Sequence, residues 1–383
     1  MSTAVRREIL LNPGPVNVSD RVRGALTRGD LCHREPEFAK LMTGVRRSLE
    51  DQLAPGKGHT AVLLAGSGTS AVEAMISNLA PRKGSKLAVV TNGVYGERIL
   101  EIAKRHDVEV IPIVPDAEPV AKAPGVNPSW LAVPPLAQVE AVLASKEVGA
   151  LAAVHHETTT GLLNPIAEWG ALAKKRAKRF LVDSVSGMAG EELDLEGWGV
   201  DAVAGTANKC IQGIPGSSFV LVRSETLAAV KPLPQRTLYL DLAKNHEAQE
   251  KGYPAFTQPV QVLFAFEAAL EELREETVPG RVARMKRAAS QLREGFRTLG
   301  LELLLPAPVR SNTITTLALP AGMSYPALHD ALKEMGFVIY AGQGGLEKSF
   351  FRVANMGALG PHDFEAFLGA LARALGTPAG ARR

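Results

Sequence analysis

Lys209 is the residue of this sequence with the clearest chemical potential, because it lies in a glycine-rich segment between two apolar stretches. The segment covers residues 205–217, and the apolar stretches, residues 201–205 and 218–222, have the composition of buried strands. A lysine kept out of water has a lowered amine pKa and becomes a nucleophile that can form a Schiff base with a carbonyl compound. The segment therefore favours a catalytic lysine, with a solvated surface charge at a strand end as the alternative.

A phosphate-binding turn is the second candidate feature. The string Gly66-Ser-Gly-Thr follows an apolar stretch, residues 59–65, and opens a helical pattern. Exposed N–H groups at the start of a helix bind phosphate, Gly68 lets the backbone approach it, and the hydroxyls of Ser67 and Thr69 add donors. The string lacks the spacing of dinucleotide and nucleotide loops, so it favours a simple phosphomonoester, with an ordinary turn as the alternative.

Strands and helices alternate along the first part of the chain, which predicts an α/β fold with a doubly wound, mostly parallel sheet covered by helices. The predicted strands are residues 59–65, 86–91, 108–114, 150–154, 179–183 and 201–204, and the predicted helices include residues 19–28, 37–53, 97–105 and 136–144. Ligands of such sheets bind beyond the carboxyl ends of the strands. Because Tyr95, Thr158, Asp183 and Lys209 follow or close predicted strands, we expect them to meet at one edge of the sheet.

The C-terminal part of the chain has a different pattern. Residues 260–299 read as helical with a break near Pro279-Gly280, and residues 314–319, 337–340 and 349–353 read as strands with few parallel crossover signals. This pattern predicts a smaller α+β domain. The expected division is an N-terminal segment that packs on the small domain, residues 1–20, a large domain, residues 21–260, and the small domain, residues 261–383.

Composition restricts the class of protein. A chain of 383 residues is too long for one typical core, which favours two domains. Its net charge of +3 is too small to indicate a nucleic-acid partner. Two distant cysteines, Cys32 and Cys210, fit neither a disulfide framework nor a zinc site, so no metal is expected. Since no apolar run has the length of a signal peptide or a membrane span, we expect a cytoplasmic protein without a membrane partner.

The residues at the strand ends meet the demands of a pyridoxal 5'-phosphate site. Tyr95 can stack on the ring, and the hydroxyl of Thr158 can reach the ring oxygen. Asp183 can pair with the pyridinium nitrogen and keep it protonated, which makes the ring a better electron sink. The predicted cofactor-binding residues are Ser67, Gly68, Thr69, Tyr95, Thr158, Asp183 and Lys209, with Lys209 and Asp183 as the catalytic pair.

With these residues, the sequence resembles the class V aminotransferases of the type I pyridoxal phosphate fold, and within them the branch that acts on 2-aminoethylphosphonate and pyruvate. The strings that carry the resemblance are Asn12-Pro-Gly-Pro, Gly66-Ser-Gly-Thr, Asn92-Gly-Val-Tyr-Gly-Glu-Arg, His156-Glu-Thr-Thr-Thr-Gly, Val182-Asp-Ser-Val-Ser, Ala207-Asn-Lys-Cys-Ile-Gln-Gly and Phe351-Arg-Val-Ala-Asn-Met-Gly. They span almost the whole chain, and those that contain residues 156–161 and 207–213 are typical of the phosphonate branch.

The resemblance implies further roles. It implies that Thr257 reaches the phosphate bound by a neighbouring subunit, so that the active unit is a homodimer with shared sites. It also implies that Arg352 binds the carboxylate of the keto acid and that Gly14 lies at the substrate. The reaction implied is transfer of the amino group of 2-aminoethylphosphonate to pyruvate, which gives phosphonoacetaldehyde and alanine, with Lys209 as anchor, base and acid.

One loop departs from the family pattern. Residues 32–38, Cys32-His-Arg-Glu-Pro-Glu-Phe, replace a more acidic sequence, and Arg34 in this loop either contacts a phosphonate dianion or marks a different amino donor. The alternatives are therefore an alanine:glyoxylate or serine:pyruvate aminotransferase. A lyase or desulfurase of the same fold is a second alternative, for which Cys32 would be the reactive cysteine, and a binding protein without activity is the last.

Overall fold

The computed structural model describes residues 7–121, 123 and 125–376, and its main body is a mixed α/β layer structure. Residues 1–6 of the predicted N-terminal segment and residues 377–383 of the predicted small domain lie outside the described residues. The strands are β1 (Ile9–Leu10), β2 (His59–Gly66), β3 (Lys86–Val90), β4 (Val110–Ile113), β5 (Val148–Val154), β6 (His156–Glu157), β7 (Leu162–Leu163), β8 (Arg179–Asp183), β9 (Ala202–Thr206), β10 (Gly216–Arg223), β11 (Ile314–Ala318), β12 (Phe337–Val338), β13 (Tyr340–Ala341) and β14 (Phe350–Ala354).

The central sheet has, within the part of the chain that the structure describes, seven strands in the order β2-β10-β9-β8-β5-β3-β4. All neighbouring pairs are parallel except those of β10, which runs antiparallel to both β2 and β9. Strands β5, β8 and β9 end side by side, with Val154 opposite Asp183 and Asp183 opposite Ala204. This register brings the carboxyl ends of the parallel strands to one edge.

Helices cover both faces of the sheet, as the apolar composition of its strands requires. The helices are α1 (Asp20–Ala25), α2 (Pro36–Leu53), α3 (Gly68–Leu79), α4 (Val94–Arg105), α5 (Leu136–Leu143), α6 (Ile166–Lys175), α7 (Ser224–Val230), α8 (Leu242–Glu250), α9 (Val260–Glu276), α10 (Val278–Thr298), α11 (Tyr325–Glu334) and α12 (Pro361–Ala374). One core contains α1, α2, α5, α6 and α9, and a second core on the opposite face contains α3, α4, α7 and α8.

A third core lies in the C-terminal part of the chain. Here α10, α11 and α12 pack on an antiparallel sheet of β11, β14 and β13, which has three strands in the described residues. The N-terminal strand β1 pairs in parallel with β12, and Leu11 is buried in the same core. Among the described residues, no helix has the length and apolarity that crossing a membrane demands.

The predicted α/β class with a mostly parallel sheet is confirmed, and three details differ from the sequence-based expectation. Strand β10 is antiparallel, because the Lys209 loop returns the chain directly without a crossover helix. Helix α4 begins at Val94, three residues earlier than the predicted start at 97, so Tyr95 lies inside it. Helix α9 ends at Glu276 and α10 begins at Val278, because Pro279 is accepted in the first turn of a helix. The domain boundaries stay a prediction.

Candidate active site

A cavity of about 170 Å³ lies at the carboxyl ends of the parallel strands. The strand ends and the turns after them supply its walls, as the alternation of elements predicted. Its lining residues are Ser67, Gly68, Thr69, Val72, Tyr95, Arg98, Val154, His156, Thr158, Asp183, Val185, Ser186, Asn208 and Lys209. Seven residues predicted from the sequence, Ser67, Gly68, Thr69, Tyr95, Thr158, Asp183 and Lys209, are all in this lining.

Lys209 lies in the loop between β9 and β10, three residues after the last residue of β9. Its Nζ donates a hydrogen bond to the carbonyl of Pro13. Burial lowers the pKa of the amine to about 8, against the opposing influence of Cys210 and Asp183. A lysine with this pKa has a larger neutral, nucleophilic fraction near neutral pH than an ordinary lysine.

Gly14 lies directly against the lysine side chain. A Cβ atom at this glycine would be 2.6 Å from Cδ and 2.7 Å from Nζ of Lys209. Its φ of +101° is in the region that favours glycine. The turn at residues 12–15 therefore forms one wall around the amine, although Gly14 is not among the residues that line the cavity.

Asp183 is the last residue of β8 and is buried at the floor of the cavity. Its Oδ1 accepts a hydrogen bond from the Val185 N–H at 2.9 Å. Burial raises the pKa of the carboxyl group to about 6, while the Val185 hydrogen bond and the positive charges of Arg98 and Lys209 act in the opposite direction. The side chain can thus present a buried negative charge to a cationic ring nitrogen.

The start of α3 forms an open anion cradle. Ser67 is the N-cap residue, and its side chain makes no capping hydrogen bond to the first turn. A Cβ at Gly68 would meet Val185 Cγ1 at 2.5 Å, so this position requires glycine for the close approach of helix and strand loop. The Ser70 N–H donates to the Ser67 carbonyl at 2.9 Å. The N–H groups of Gly68 and Thr69 are therefore the ones that can bind an anion at the positive end of the helix.

Arg98 is a cavity residue that the sequence reasoning missed. Its guanidinium lies over the Tyr95 ring at 4.6 Å from the centroid and donates to Thr69 Oγ1 at 3.5 Å. The spacing of three residues from Tyr95 puts both side chains on one helical face. A helix predicted to begin before Tyr95 would have placed Arg98 on the same face as Tyr95 and so identified it. His156 was also missed: its Nε2 is buried and has no hydrogen-bond partner among the described residues.

Arg352 joins the C-terminal part of the chain to the cavity wall. It lies on β14, is buried, and donates from Nη1 to the Thr158 carbonyl at 2.9 Å and to Gln343 Oε1 at 3.1 Å. Its Nε donates to the Ala341 carbonyl at 2.9 Å. Burial lowers the pKa of the guanidinium, and its positive charge lowers the pKa of Lys209. Arg352 is therefore held close to the site in a fixed orientation.

Arg34 and Thr257 are exposed, and neither lines the cavity of this chain. Their roles toward substrate and toward the site of a neighbouring subunit stay predictions. Cys32 is exposed and Cys210 is buried, with Sγ directed to the Ser186 carbonyl at 3.4 Å. Neither cysteine lines the cavity.

Comparison with known proteins identifies a family and full-length relatives. The model of the family "Aminotransferase class-V" matches residues 17–358. A 2-aminoethylphosphonate–pyruvate transaminase of Klebsiella pneumoniae is 35% identical over 377 residues, which cover 97% of this chain and 98% of that protein. The transaminase of the same name from Vibrio cholerae is 36% identical and covers 96% of this chain and 97% of its own length.

A solved structure also matches. The aspartate aminotransferase of Thermus thermophilus, described as a member of subgroup IV, superposes with a TM-score of 0.84 at 28% identity. The superposition covers 96% of this chain and 99% of that one. The likeness therefore includes both the large sheet and the C-terminal part of the chain.

Proposed function

Because the chain belongs to the class V aminotransferase family and is an aminotransferase dependent on pyridoxal phosphate, we propose that it transfers the amino group of 2-aminoethylphosphonate to pyruvate. The products are phosphonoacetaldehyde and alanine. The observation that carries the chemistry is that Lys209 and Asp183 line one cavity opposite the uncapped start of α3. The substrate proposal is supported by the names of relatives that are 35% and 36% identical over nearly their whole lengths.

The cavity residues fit the cofactor. The uncapped first turn of α3, at Gly68 and Thr69, suits a phosphate, and the buried carboxyl group of Asp183 suits a protonated ring nitrogen. Tyr95 is proposed to contact the ring face and Thr158 the ring oxygen, since both line the cavity. When bound, pyridoxal phosphate withdraws electrons from the carbon that bears the amino group of the substrate.

Lys209 is the residue that moves the proton in this proposal. Its Nζ removes a proton from the carbon that bears the amino group of the donor, and in the second half-reaction it delivers a proton to the carbon of pyruvate that receives the amino group. An amine pKa of about 8 suits both transfers near neutral pH. The Pro13 carbonyl and Gly14 limit the positions that Nζ can take. Asp183 supplies a fixed negative charge in a buried site, where its effect is larger than in water.

Arg352 is proposed to bind the carboxylate of the keto acid. A guanidinium presents a planar set of donors that matches a carboxylate, and the bonds from Arg352 to two carbonyls and to Gln343 already fix its plane. Gly14 is proposed to leave room for substrate beside Lys209. Arg34 is proposed to contact the phosphonate group through its exposed guanidinium.

We propose a homodimer in which Thr257 contacts the phosphate bound by the other subunit. The surface near Thr257 supports this proposal, because Leu238 is 70% exposed and the exposed Tyr239 packs on the Phe256 ring at 4.8 Å between centroids. Exposed apolar clusters of this kind mark protein contacts. Sedimentation of the active enzyme as a monomer would contradict the dimer.

The unpaired Cys32 and Cys210 support the cytoplasm as the proposed compartment.

The decisive experiment compares amino donors. The purified enzyme, with pyridoxal phosphate and pyruvate, is assayed with 2-aminoethylphosphonate, serine and alanine, with glyoxylate as a second acceptor for alanine. We expect the highest kcat/KM with 2-aminoethylphosphonate, and no activity on this donor would overturn the proposal. Arg34→Ala is expected to raise KM for the phosphonate without affecting KM for pyruvate, since only the former carries a phosphonate dianion.

A further inference from the structure

Glu157 is a fully buried carboxyl group next to the cavity, and the proposed reaction assigns it no role. It lies in β6, one residue before Thr158, in the string that carries the resemblance to the phosphonate branch. Its Oε1 accepts hydrogen bonds from the Thr159 hydroxyl at 2.7 Å and the Tyr95 N–H at 3.3 Å. Its Oε2 accepts from the Gly96 N–H at 3.2 Å. Both oxygen atoms are thus used, and two of the three donors are backbone groups of one helix turn.

The start of α4 lacks a capping side chain of its own. Its N-cap residue is Gly93, which has no side chain that could accept from the first turn. The Val94 N–H is bonded to Thr159 Oγ1 at 3.1 Å, and the next two N–H groups are bonded to Glu157. The first turn of α4 is therefore capped by Glu157 of β6 and by Thr159, which lies in the loop between β6 and β7.

The space for this carboxyl group exists because Gly93 has no side chain. A Cβ at Gly93 would overlap the Cγ and Cδ atoms of Glu157. The carboxyl group also lies at the positive end of α4, where a negative charge is favourable. Its position is thus specified by a glycine, by three hydrogen bonds and by the helix dipole.

The residues that this turn carries face the cavity. Tyr95 and Arg98 both line it, and the Arg98 guanidinium covers the Tyr95 ring. Thr158, the residue after Glu157, accepts a hydrogen bond from Arg352 through its carbonyl. Glu157 therefore stands between the strand-end loop and the helix turn that supplies the aromatic wall of the site.

We propose that Glu157 is a positioning residue that fixes the first turn of α4 and thereby sets the orientation of Tyr95 and Arg98 toward the bound cofactor. The proposal rests on the proposed function only in taking Tyr95 as a cofactor contact. The capping of α4 by Glu157 is a contact within the chain itself.

The electrostatic surroundings agree with this role. Burial raises the pKa of the Glu157 carboxyl to about 7, the nearby charge of Asp183 raises it further, and the hydrogen bonds from Thr159, Gly96 and Tyr95 oppose the rise. The donors thus stabilise the ionised form, which accepts through both oxygen atoms. A protonated or amide side chain would turn one of these acceptors into a donor that faces a backbone N–H or a hydroxyl.

The test uses Glu157→Gln in the full chain loaded with pyridoxal phosphate. Since glutamine replaces one acceptor by an NH₂ group, at least one donor loses its partner. We expect the dissociation constant of pyridoxal phosphate to rise about tenfold, the effect of losing one buried hydrogen bond, with a changed visible circular dichroism band. Amide hydrogen exchange of a peptide that covers the first turn of α4 is expected to become faster.

The matched control is Glu191→Gln. Glu191 is also a buried carboxyl group, and it accepts two hydrogen bonds from Asn312, which lies outside α4. This variant should lose thermal stability without changing the dichroism band or the exchange of α4. If Glu157→Gln does not fold, Thr159→Val replaces it, since that variant removes the hydroxyl that bonds both Glu157 and the Val94 N–H.

A double-mutant cycle with Tyr95→Ala decides whether the effect acts through Tyr95. In the Tyr95→Ala background, Glu157→Gln should change the dissociation constant of pyridoxal phosphate much less than in the wild type. Equal changes in both backgrounds, or unchanged exchange of α4 in Glu157→Gln, would overturn the proposal. Failure of the proposed function would be recognised by a different result, because the wild-type chain itself would then lack activity on 2-aminoethylphosphonate. The hydrogen exchange of α4 would still test the role of Glu157 in that case.

Discussion

At the scale of single residues, burial gives Lys209 and Asp183 the properties that the chemistry needs. The same loss of water that lowers the pKa of the Lys209 amine to about 8 raises the pKa of the Asp183 carboxyl to about 6. Burial disfavours the charged form of each group, and the opposite charge of the other group partly offsets this effect on its pKa. The pair is therefore poised near neutral pH, where a proton can be exchanged at Nζ and a negative charge kept at the floor of the cavity.

Asp183→Asn tests the electrostatic role of the carboxylate. Asparagine can keep the hydrogen bond from the Val185 N–H, which is 2.9 Å long in the wild type, but it cannot carry a negative charge. We expect kcat to fall about a hundredfold or more, as for the loss of one buried stabilising group, with little change in Tm. The measurement is kcat at saturating donor and acceptor, with the melting temperature as the control for folding. An unchanged kcat would contradict the assignment.

At the scale of elements, the site depends on two turns that meet at the lysine. The loop between β9 and β10 is fixed from the C-terminal part of the chain: the buried Arg281 of α10 donates from Nη1 to the Cys210 carbonyl at 2.7 Å, and Gln212 Nε2 donates to the Gly357 carbonyl at 2.6 Å. From the other side, the turn at residues 12–15 contacts the Lys209 side chain. The amine is thus held by elements from both ends of the sequence.

Gly14→Ala tests the contact between the N-terminal turn and Lys209. The new Cβ would lie 2.6 Å from Lys209 Cδ at a φ of +101°, so both the turn and the lysine must shift. We expect a loss of stability of about 1–3 kcal/mol from the backbone conformation and, in addition, a lower kcat. Thermal unfolding and steady-state kinetics measure the two effects.

Gly84→Ala is the control for this substitution. Gly84 has a φ of +90°, and no atom of the described residues lies within 4 Å of the position that a Cβ would take. It therefore shares the backbone strain without the contact to Lys209. It should lower stability and leave kcat unchanged. If Gly14→Ala lowers stability alone, as Gly84→Ala is expected to do, the turn is not a wall of the active site.

At the scale of the whole molecule, buried polar contacts join the large sheet to the C-terminal part of the chain. Glu191, in the loop after β8, accepts from the N–H of Asn312 at 2.6 Å and from its Nδ2 at 2.7 Å. Arg352 contributes a second contact, through the Thr158 carbonyl. These buried hydrogen bonds therefore join the core of the large sheet to the C-terminal core.

The pH dependence of stability tests the Glu191 contact. Burial raises its pKa from 4.5 to about 8, so between these values the folded chain binds more protons than the unfolded chain. The contribution of Glu191 to stability is therefore greatest below the unfolded pKa, falls as pH rises through this window, and is constant above it. Glu191→Gln cannot ionise, so the Tm of the wild type minus that of the variant should fall as pH is raised from about 5 to about 9. A difference in Tm independent of pH would contradict this account.

The sequence by itself determined the α/β class, the strand ends and seven residues of the cavity, because each of these depends on local pattern. Apolar stretches mark the strands, and the topology of a parallel sheet brings the residues that follow them to one edge. Lys209, Asp183 and the turn at residues 66–69 could therefore be identified without knowing their contacts. The roles of Arg34 and Thr257 stay predictions, since exposed side chains carry no such local pattern.

Only the tertiary structure decided the contacts between distant parts of the chain. Glu157 caps a helix whose first turn is about 60 residues away, at a separation of 62 from Tyr95, and Arg352 bonds the Thr158 carbonyl across a separation of 194 residues. Arg98 and Tyr95 line the cavity together because α4 begins at Val94 and carries both residues on one face. A periodic pattern reports which face of an element is buried, but not which donor or acceptor another element brings to its end. The chemistry of the strand ends is thus local in the sequence, whereas the orientation of the groups around it is a property of the fold.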